Sequence, residues 1–126
     1  MAEISMQVIE LNHTAIYVSD VEASARFYGE TLGFPVLQRP AFSFPGAWFR
    51  LGTNQELHLI GERLAQPFTE ETRGGHFAMR VDDIGEAAKL LKTKGVKFRS
   101  ARRPDGAQQI FFEDPDGHQL EFFVGP

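Results

Sequence analysis

Hydrophobic and polar residues alternate along residues 8–18, which is the pattern of a β-strand with two different faces. One face of this strand carries Leu11, His13, Ala15 and Tyr17, and the other carries Thr14, Ile16 and Val18. A helix is predicted directly after it. Ser19 and Glu22 fit a capping box, Asp20 is an equally acceptable cap, and Gly33 ends the helix.

Three more strands are predicted in the first half of the chain, at residues 34–39, 47–51 and 56–60. The last two form a pair joined by the turn at 52–54. Residues 61–75 are polar and without periodicity, which predicts a linker or a flexible loop.

The second half repeats this order of elements. A strand is predicted at 76–81, and a helix capped by Asp83 follows and ends at Gly95. Three further strands are predicted at 96–101, 109–113 and 119–124. The turn Asp114-Pro115-Asp116-Gly117 leads into the last of them.

The two halves match as an internal repeat. An offset of 63 residues places His13 on His76, and the same offset aligns further residues: Ala15 with Ala78, Val18 with Val81, Asp20 with Asp83 and Ala25 with Ala88. With one residue deleted and later restored, His58 falls on Glu121. We therefore expect a single domain over residues 1–126, with one module at about 8–62 and a second at about 74–126.

Four polar residues occupy matched positions in this repeat: His13, His58, His76 and Glu121. His58, His76 and Glu121 have apolar neighbours in their strands, so we expect the four side chains to point into the concave side of a curved sheet. A carboxylate buried there needs a cation or a strong hydrogen-bond partner. Imidazole and carboxylate are ligands for divalent metals, and the four residues are our predicted metal site. Glu56 shares the face of His58 and is an alternative to it.

Composition narrows the class of protein. The chain has no cysteine and a net charge of −4, which gives no thiolate metal site, no sign of secretion and no expectation of nucleic acid as a partner. Residues 1–10 lack the features of a signal peptide, and no apolar stretch is long enough to span a membrane. We predict a cytoplasmic protein.

Several motifs give the chain a resemblance to a known superfamily. They are Leu11 to Val18, Phe27-Tyr28 with Leu32-Gly33-Phe34, Gly75 to Ala78, and Asp114 to Gly117 followed by Leu120-Glu121. Over about residues 8–124 the chain resembles the vicinal oxygen chelate superfamily, which includes glyoxalase I, bleomycin-resistance proteins and extradiol dioxygenases. The resemblance implies an α+β fold in which two βαβββ modules form a cupped, barrel-like mixed sheet around a divalent metal.

The resemblance also implies roles for individual residues. His13, His76 and Glu121 match three metal ligands of the family, and the metal would be zinc, nickel, manganese or iron(II). At the fourth position glyoxalase I-like members usually carry Glu, where this chain carries His58. A second chain completes the cup in much of the family, so a homodimer is expected.

The resemblance implies a metal-dependent lyase or isomerase of the glyoxalase type, acting on a small oxygen-chelating substrate. Glu121 or His58 would act as the base. Trp48 and Phe44, with Phe42, are candidate pocket walls, and Arg50 and Arg80 are candidates to bind an anionic group of the substrate. Two alternatives remain open: an iron(II) ring-cleaving dioxygenase, and a non-catalytic binding or resistance protein.

Overall fold

The computed structural model describes residues 6–61 and 75–125. The strands of the first half are β1 (His13–Tyr17), β2 (Val36–Leu37), β3 (Gly46–Leu51) and β4 (Gln55–Ile60). Those of the second half are β5 (His76–Arg80), β6 (Phe98–Arg102), β7 (Gln108–Glu113) and β8 (Gln119–Val124). Helix α1 (Val21–Arg26) continues as a π-helical turn (Phe27–Thr31), and helix α2 is Ile84–Thr93.

The strands form two four-stranded sheets with the same topology. Their orders are β1-β4-β3-β2 and β5-β8-β7-β6, so each sheet draws all its strands from one half of the chain. The first strand of each sheet runs parallel to the last one, and the other pairs are antiparallel. The predicted α+β fold of two βαβββ modules is confirmed.

Strand register confirms the predicted repeat at the positions that matter for the site. Ala15 lies opposite His58 in the first sheet, and Ala78 lies opposite Glu121 in the second. Each of these alanines lies two residues after the histidine that begins its strand, His13 in β1 and His76 in β5. His58 and Glu121 therefore occupy equivalent places in the two modules.

An aspartate directly before each of the two described α-helices caps its N-terminus. The side chain of Asp20 accepts a hydrogen bond from the backbone of Ala23, and that of Asp83 accepts one from the backbone of Glu86. Each bond satisfies an amide that has no partner within the helix. The alternative prediction, that Ser19 caps the first helix, is wrong, because the Ser19 hydroxyl donates to Asp116, far away in the sequence.

Two predicted strand lengths are also wrong. The first strand begins at His13 instead of residue 8, and Val8 and Ile9 are 80% and 87% exposed. The partner strand β4 begins at Gln55, and His13 at the start of β1 lies opposite Glu56, so in the described part of the chain β4 does not extend beside residues 8–11. The strand predicted at 34–39 is reduced to the two residues of β2. Most of the predicted linker, residues 62–74, lies outside the described residues.

The buried face of each sheet is the apolar one that the alternation predicts. Leu57 and Leu59, on either side of His58, are fully buried, and so is Leu120 beside Glu121. These residues join one hydrophobic core with residues of both modules, including Phe49, Leu91, Ile110 and Phe122. The opposite faces of the sheets are therefore left to carry the polar candidates.

The turn Asp114–Gly117 ties the second module to the first helix. The Tyr28 hydroxyl donates to Asp114 Oδ2 at 2.6 Å, in a buried position. Asp114 Oδ1 accepts from the backbone amides of Asp116 and His118, which closes the turn. Asp116 in turn accepts from the backbone amide of Ser19 at 3.1 Å. The turn motif is thus a structural clasp between the modules.

None of the described helices is long and apolar enough to cross a membrane.

This clasp predicts sensitivity to alkaline pH. Burial raises the pKa of Tyr28 well above its usual 10.0, and the neighbouring Asp114 carboxylate raises it further. In the unfolded chain Tyr28 ionises near its usual pKa, so stability is lost as the pH rises through about 10 towards the folded pKa. We expect the free energy of unfolding to fall over this range, and to fall less steeply in Tyr28→Phe. Equal slopes for the two proteins in urea titrations at pH 8–11 would contradict this assignment.

Candidate metal centre

The first strands of the two modules present matching exposed faces. On β1 this face carries His13, Ala15 and Tyr17, and on β5 it carries His76, Ala78 and Arg80. Tyr17 is 50% exposed in spite of its large ring. Of the three histidines predicted as ligands, His13 and His76 therefore lie on exposed strand faces.

In the first module the candidate site is a stack of rings. The His58 ring lies 3.9 Å from that of Trp48 with 1° between their planes, and 4.1 Å from that of His13 with 14° between planes. His58 Nε2 lies 2.8 Å from Glu56 Oε1. Glu56, the alternative ligand, is thus a direct partner of His58.

The orientation of His13 is fixed by its neighbour in the sequence. His13 Nδ1 lies 2.7 Å from Asn12 Oδ1. Because an amide oxygen only accepts, the proton of the neutral ring is on Nδ1 and the lone pair is on Nε2. Metal-binding histidines commonly have such a partner on the second nitrogen. Sequence reasoning did not identify Asn12, although its position next to a candidate ligand was a usable signal.

In the second module an imidazole meets a buried carboxylate. His76 Nε2 lies 3.2 Å from Glu121 Oε1, and the Glu121 side chain is only 5% exposed. Glu121 Oε2 accepts from Gln109 Nε2 at 3.1 Å, so the carboxylate is oriented by a residue that sequence reasoning missed. Donors bound to one ion at about 2.0–2.2 Å lie roughly 3.0–3.5 Å apart, so this pair fits two ligands of one metal.

The structure therefore brings the four predicted residues together as two pairs. His13 is in contact with His58, and His76 is in contact with Glu121. Within residues 6–61 and 75–125 there is no group of three or more His, Asp or Glu side chains that could hold a metal ion. A cavity of about 330 Å³ is lined from both modules, by His13 and Glu56 on one side and by Ala78 and Arg80 on the other.

The sequence as a whole matches one family model. Residues 10–122 match the Glyoxalase/Bleomycin resistance protein/Dioxygenase superfamily. The chain belongs to this superfamily. The predicted resemblance is confirmed.

Relatives within the superfamily cover nearly the whole chain. The lactoylglutathione lyase of Neisseria meningitidis is 32% identical over 123 residues, which are 90% of this chain and 89% of that protein. The metallothiol transferase FosB of Staphylococcus epidermidis is 29% identical over 128 residues, covering 95% of this chain and 84% of that protein. A crystal structure of a glyoxalase family protein from Bacillus anthracis has a TM-score of 0.85 at 26% identity, with 98% and 100% of the two chains covered.

Aromatic side chains extend the ring stack of this superfamily member away from His58. The Phe42 ring lies 6.1 Å from that of Trp48 and 5.2 Å from that of Phe44. The Arg39 guanidinium carbon is 4.9 Å from the centre of each phenylalanine ring, and its Nη2 donates to the Phe44 carbonyl at 2.8 Å. Arg39, which sequence reasoning missed, thus holds the loop in place through cation–π contacts.

The two arginines proposed for an anionic group differ in their surroundings. Arg50 lies opposite Glu56 in the β3–β4 register and donates to the Thr53 carbonyl at 3.3 Å. Arg80 is exposed and lines the cavity between the modules. A further cation is Arg99, whose guanidinium carbon lies 4.3 Å from the centre of the Phe111 ring. Phe111 is the residue opposite Glu121 in the β7–β8 register.

The fourth histidine lies in the clasp and outside these pairs. His118 Nε2 is 2.6 Å from the Tyr17 carbonyl oxygen, and the residue is half-buried. The His118 ring thus closes onto the end of β1. This histidine has a structural partner and supplies a useful control for the site.

Proposed function

We propose that this protein is a divalent-metal-dependent lyase or isomerase of the glyoxalase type, acting on a small oxygen-chelating substrate. The single observation that carries the proposal is the His76–Glu121 pair, in which a buried carboxylate is oriented by Gln109 toward an exposed imidazole. His13 occupies the equivalent place in the first module, and Asn12 leaves its Nε2 as the donor. The names of the relatives, lactoylglutathione lyase and metallothiol transferase, support the same class.

The proposed ligands are His13, His76 and Glu121, and His58 is the residue that stands where a fourth ligand would lie. Nitrogen and oxygen donors without thiolate suit zinc, nickel, manganese or iron(II). An ion bound there would supply Lewis acidity toward two neighbouring oxygens of a substrate. The chain's own groups would orient the substrate and move the proton, and Glu121 and His58 are the candidate bases.

The walls of the cup indicate how a substrate would be held. Trp48 and Phe44, supported by Phe42, offer an apolar surface beside the ring stack. Arg80 at the cavity and Arg50 on β3 are the proposed contacts for a carboxylate or phosphate of the substrate. A substrate with an apolar part and an anionic part fits this distribution.

We also propose that two chains share each site. His13 and His76, one member of each pair, lie on exposed strand faces, and the His76 side chain is 38% exposed although its partner carboxylate is buried. A symmetric dimer would place the first module of one chain against the second module of its partner, which completes a set of three or four ligands. The proposed homodimer is therefore part of the proposed activity.

A mixture of two inactive variants tests this proposal. His13→Ala and Glu121→Ala each damage every site of their own homodimer. In a heterodimer, His13 of one chain meets His76 and Glu121 of the other, so one of the two sites is intact. We expect heterodimers purified through two different tags to recover about half of the parent's bound zinc, with chelator-sensitive turnover of methylglyoxal–thiol adducts.

The outcomes of this experiment separate the alternatives. Full loss of zinc in the heterodimer would reject the shared site, and zinc binding without turnover would favour a binding protein. Consumption of catechol with oxygen uptake would favour the iron(II) dioxygenase. That alternative has its own support, because His58 is engaged by Glu56 and the remaining two histidines and one carboxylate form an open iron(II) triad.

A further inference from the structure

The His58 ring is held on both faces. Trp48 lies opposite it in the β3–β4 register and stacks on one face at 3.9 Å, almost perfectly parallel. His13 stacks on the other face at 4.1 Å. An imidazole in such a sandwich has little freedom to turn about its side-chain bonds.

The edge of the His58 ring is also engaged. His58 Nε2 lies 2.8 Å from Glu56 Oε1, so this ring nitrogen already has a side-chain partner within its own strand. The analogous contact in the second module, His76 Nε2 to Glu121 Oε1, is longer at 3.2 Å.

Exposure distinguishes the two imidazoles in the same way. The His58 side chain is 12% exposed, against 38% for His76. His13, the outer ring of the stack, is exposed and has its Nδ1 on Asn12. The rings that reach the open face of the cup are thus those of His13 and His76, and His58 lies beneath one of them.

We propose that His58 is a positioning residue, which sets the orientation of the His13 imidazole through ring stacking and is not itself a metal ligand. This inference rests on the proposed function and assigns one position within it. β1 is the edge strand of its sheet, so His13 has support from β4 on one side only. The stack on His58 fixes the plane of the His13 ring, and Asn12 fixes which nitrogen points outward.

The number of imidazoles on the ion tests this directly in the unmodified protein. We would load the full chain with Cu²⁺ and count the coordinated imidazoles by electron spin-echo envelope modulation. The expected count is two, from His13 and His76. A count of three in the parent, falling to two in His58→Phe, would overturn the proposal.

Two pairs of variants test the stack itself. His58→Phe keeps a flat ring between Trp48 and His13 but has no nitrogen, whereas His58→Ala removes the ring. We expect Zn²⁺ affinity, measured by competition with a chromophoric chelator, to stay within about threefold of the parent in His58→Phe and to fall about tenfold in His58→Ala, as for other outer-sphere partners of metal ligands. Trp48→Ala should weaken Zn²⁺ binding similarly, and Trp48→Phe should restore it.

The proposed function and the proposed role of His58 can be rejected by different results. Loss of Zn²⁺ in His58→Phe as complete as in His13→Ala would show that His58 is a ligand, and would leave the proposed function intact. A parent protein that takes up no Zn²⁺ or Cu²⁺ would reject the proposed function and this inference with it. Unchanged Zn²⁺ affinity in both Trp48→Ala and His58→Ala would overturn the role of the stack alone.

Discussion

Replacing Glu121 with alanine is expected to release the metal almost completely. The Glu121 side chain is 5% exposed, and its two oxygens are turned to His76 and Gln109. Its removal takes away the only negative charge in the proposed ligand set. Outer-sphere partners of metal ligands are worth about 10–100-fold in affinity, so the loss of a ligand itself should exceed about a hundredfold. Elemental analysis of the purified protein, with chelator competition for the residual affinity, measures this effect.

Two matched variants control for general damage. Glu113→Ala removes a carboxylate from an exposed position in the same sheet, and His118→Ala removes the histidine of the clasp. Both should keep the parent's metal content. His76→Ala should behave as Glu121→Ala does. If Glu121→Ala and His76→Ala both keep their metal, or if His118→Ala loses it, the proposed ligand set is wrong.

The repeat and the strand faces could be predicted from the sequence because they depend on local pattern. Alternation places a residue on one face of a strand whatever its neighbours are, so the buried Leu57 and Leu59 fix the direction of His58 between them. The offset between halves then identifies Glu121 as the equivalent position, and the strand register confirms it. The cap Asp83 was predictable for the same reason, whereas the local sequence left both Ser19 and Asp20 open as caps of the first helix.

Contacts between distant parts of the chain could not be predicted in this way. Ser19 fits a helix cap on its local sequence, but its partner Asp116 lies in the turn of the second module. The length of β1 depends on where β4 begins, which local alternation does not show. The partners of the candidate ligands, such as Gln109 for Glu121, depend on side-chain rotamers in a folded sheet. These contacts decide which nitrogen or oxygen of a candidate faces the cup.

The two modules have diverged at the same two positions. In the second, Glu121 follows Gln119, and in the first, His58 follows Glu56. One position thus holds an imidazole in the first module and a carboxylate in the second, and the other holds a carboxylate in the first and an amide in the second. A buried imidazole needs an acceptor, which Glu56 provides, and a buried carboxylate needs a donor, which Gln109 and His76 provide. Each group thus has a partner suited to it, and the carboxylate of the proposed ligand set lies in the second module.

Replacing Tyr28 with phenylalanine is expected to destabilise the fold by about 1–3 kcal/mol. Tyr28 is fully buried, and Asp114 is 6% exposed. Without the hydroxyl, Asp114 Oδ2 loses its buried donor, while burial already raises the pKa of this carboxyl. Leaving a buried acceptor unsatisfied costs more than the hydrogen bond contributes. Urea unfolding followed by circular dichroism at pH 7 measures the change.

The same measurement distinguishes the clasp from ordinary core packing. Tyr17→Phe removes a hydroxyl from a half-exposed ring and should change the free energy of unfolding by about 0.5 kcal/mol or less. Asp114→Asn keeps the shape of the turn and removes the charge, so Tyr28→Phe should cost less in its presence, with a coupling of about 0.5–3 kcal/mol between the two changes. Purely additive effects would mean that Tyr28 stabilises the protein by its ring alone. Coupling would show that the hydroxyl–carboxylate contact between Tyr28 and Asp114 stabilises the packing of the two modules against each other.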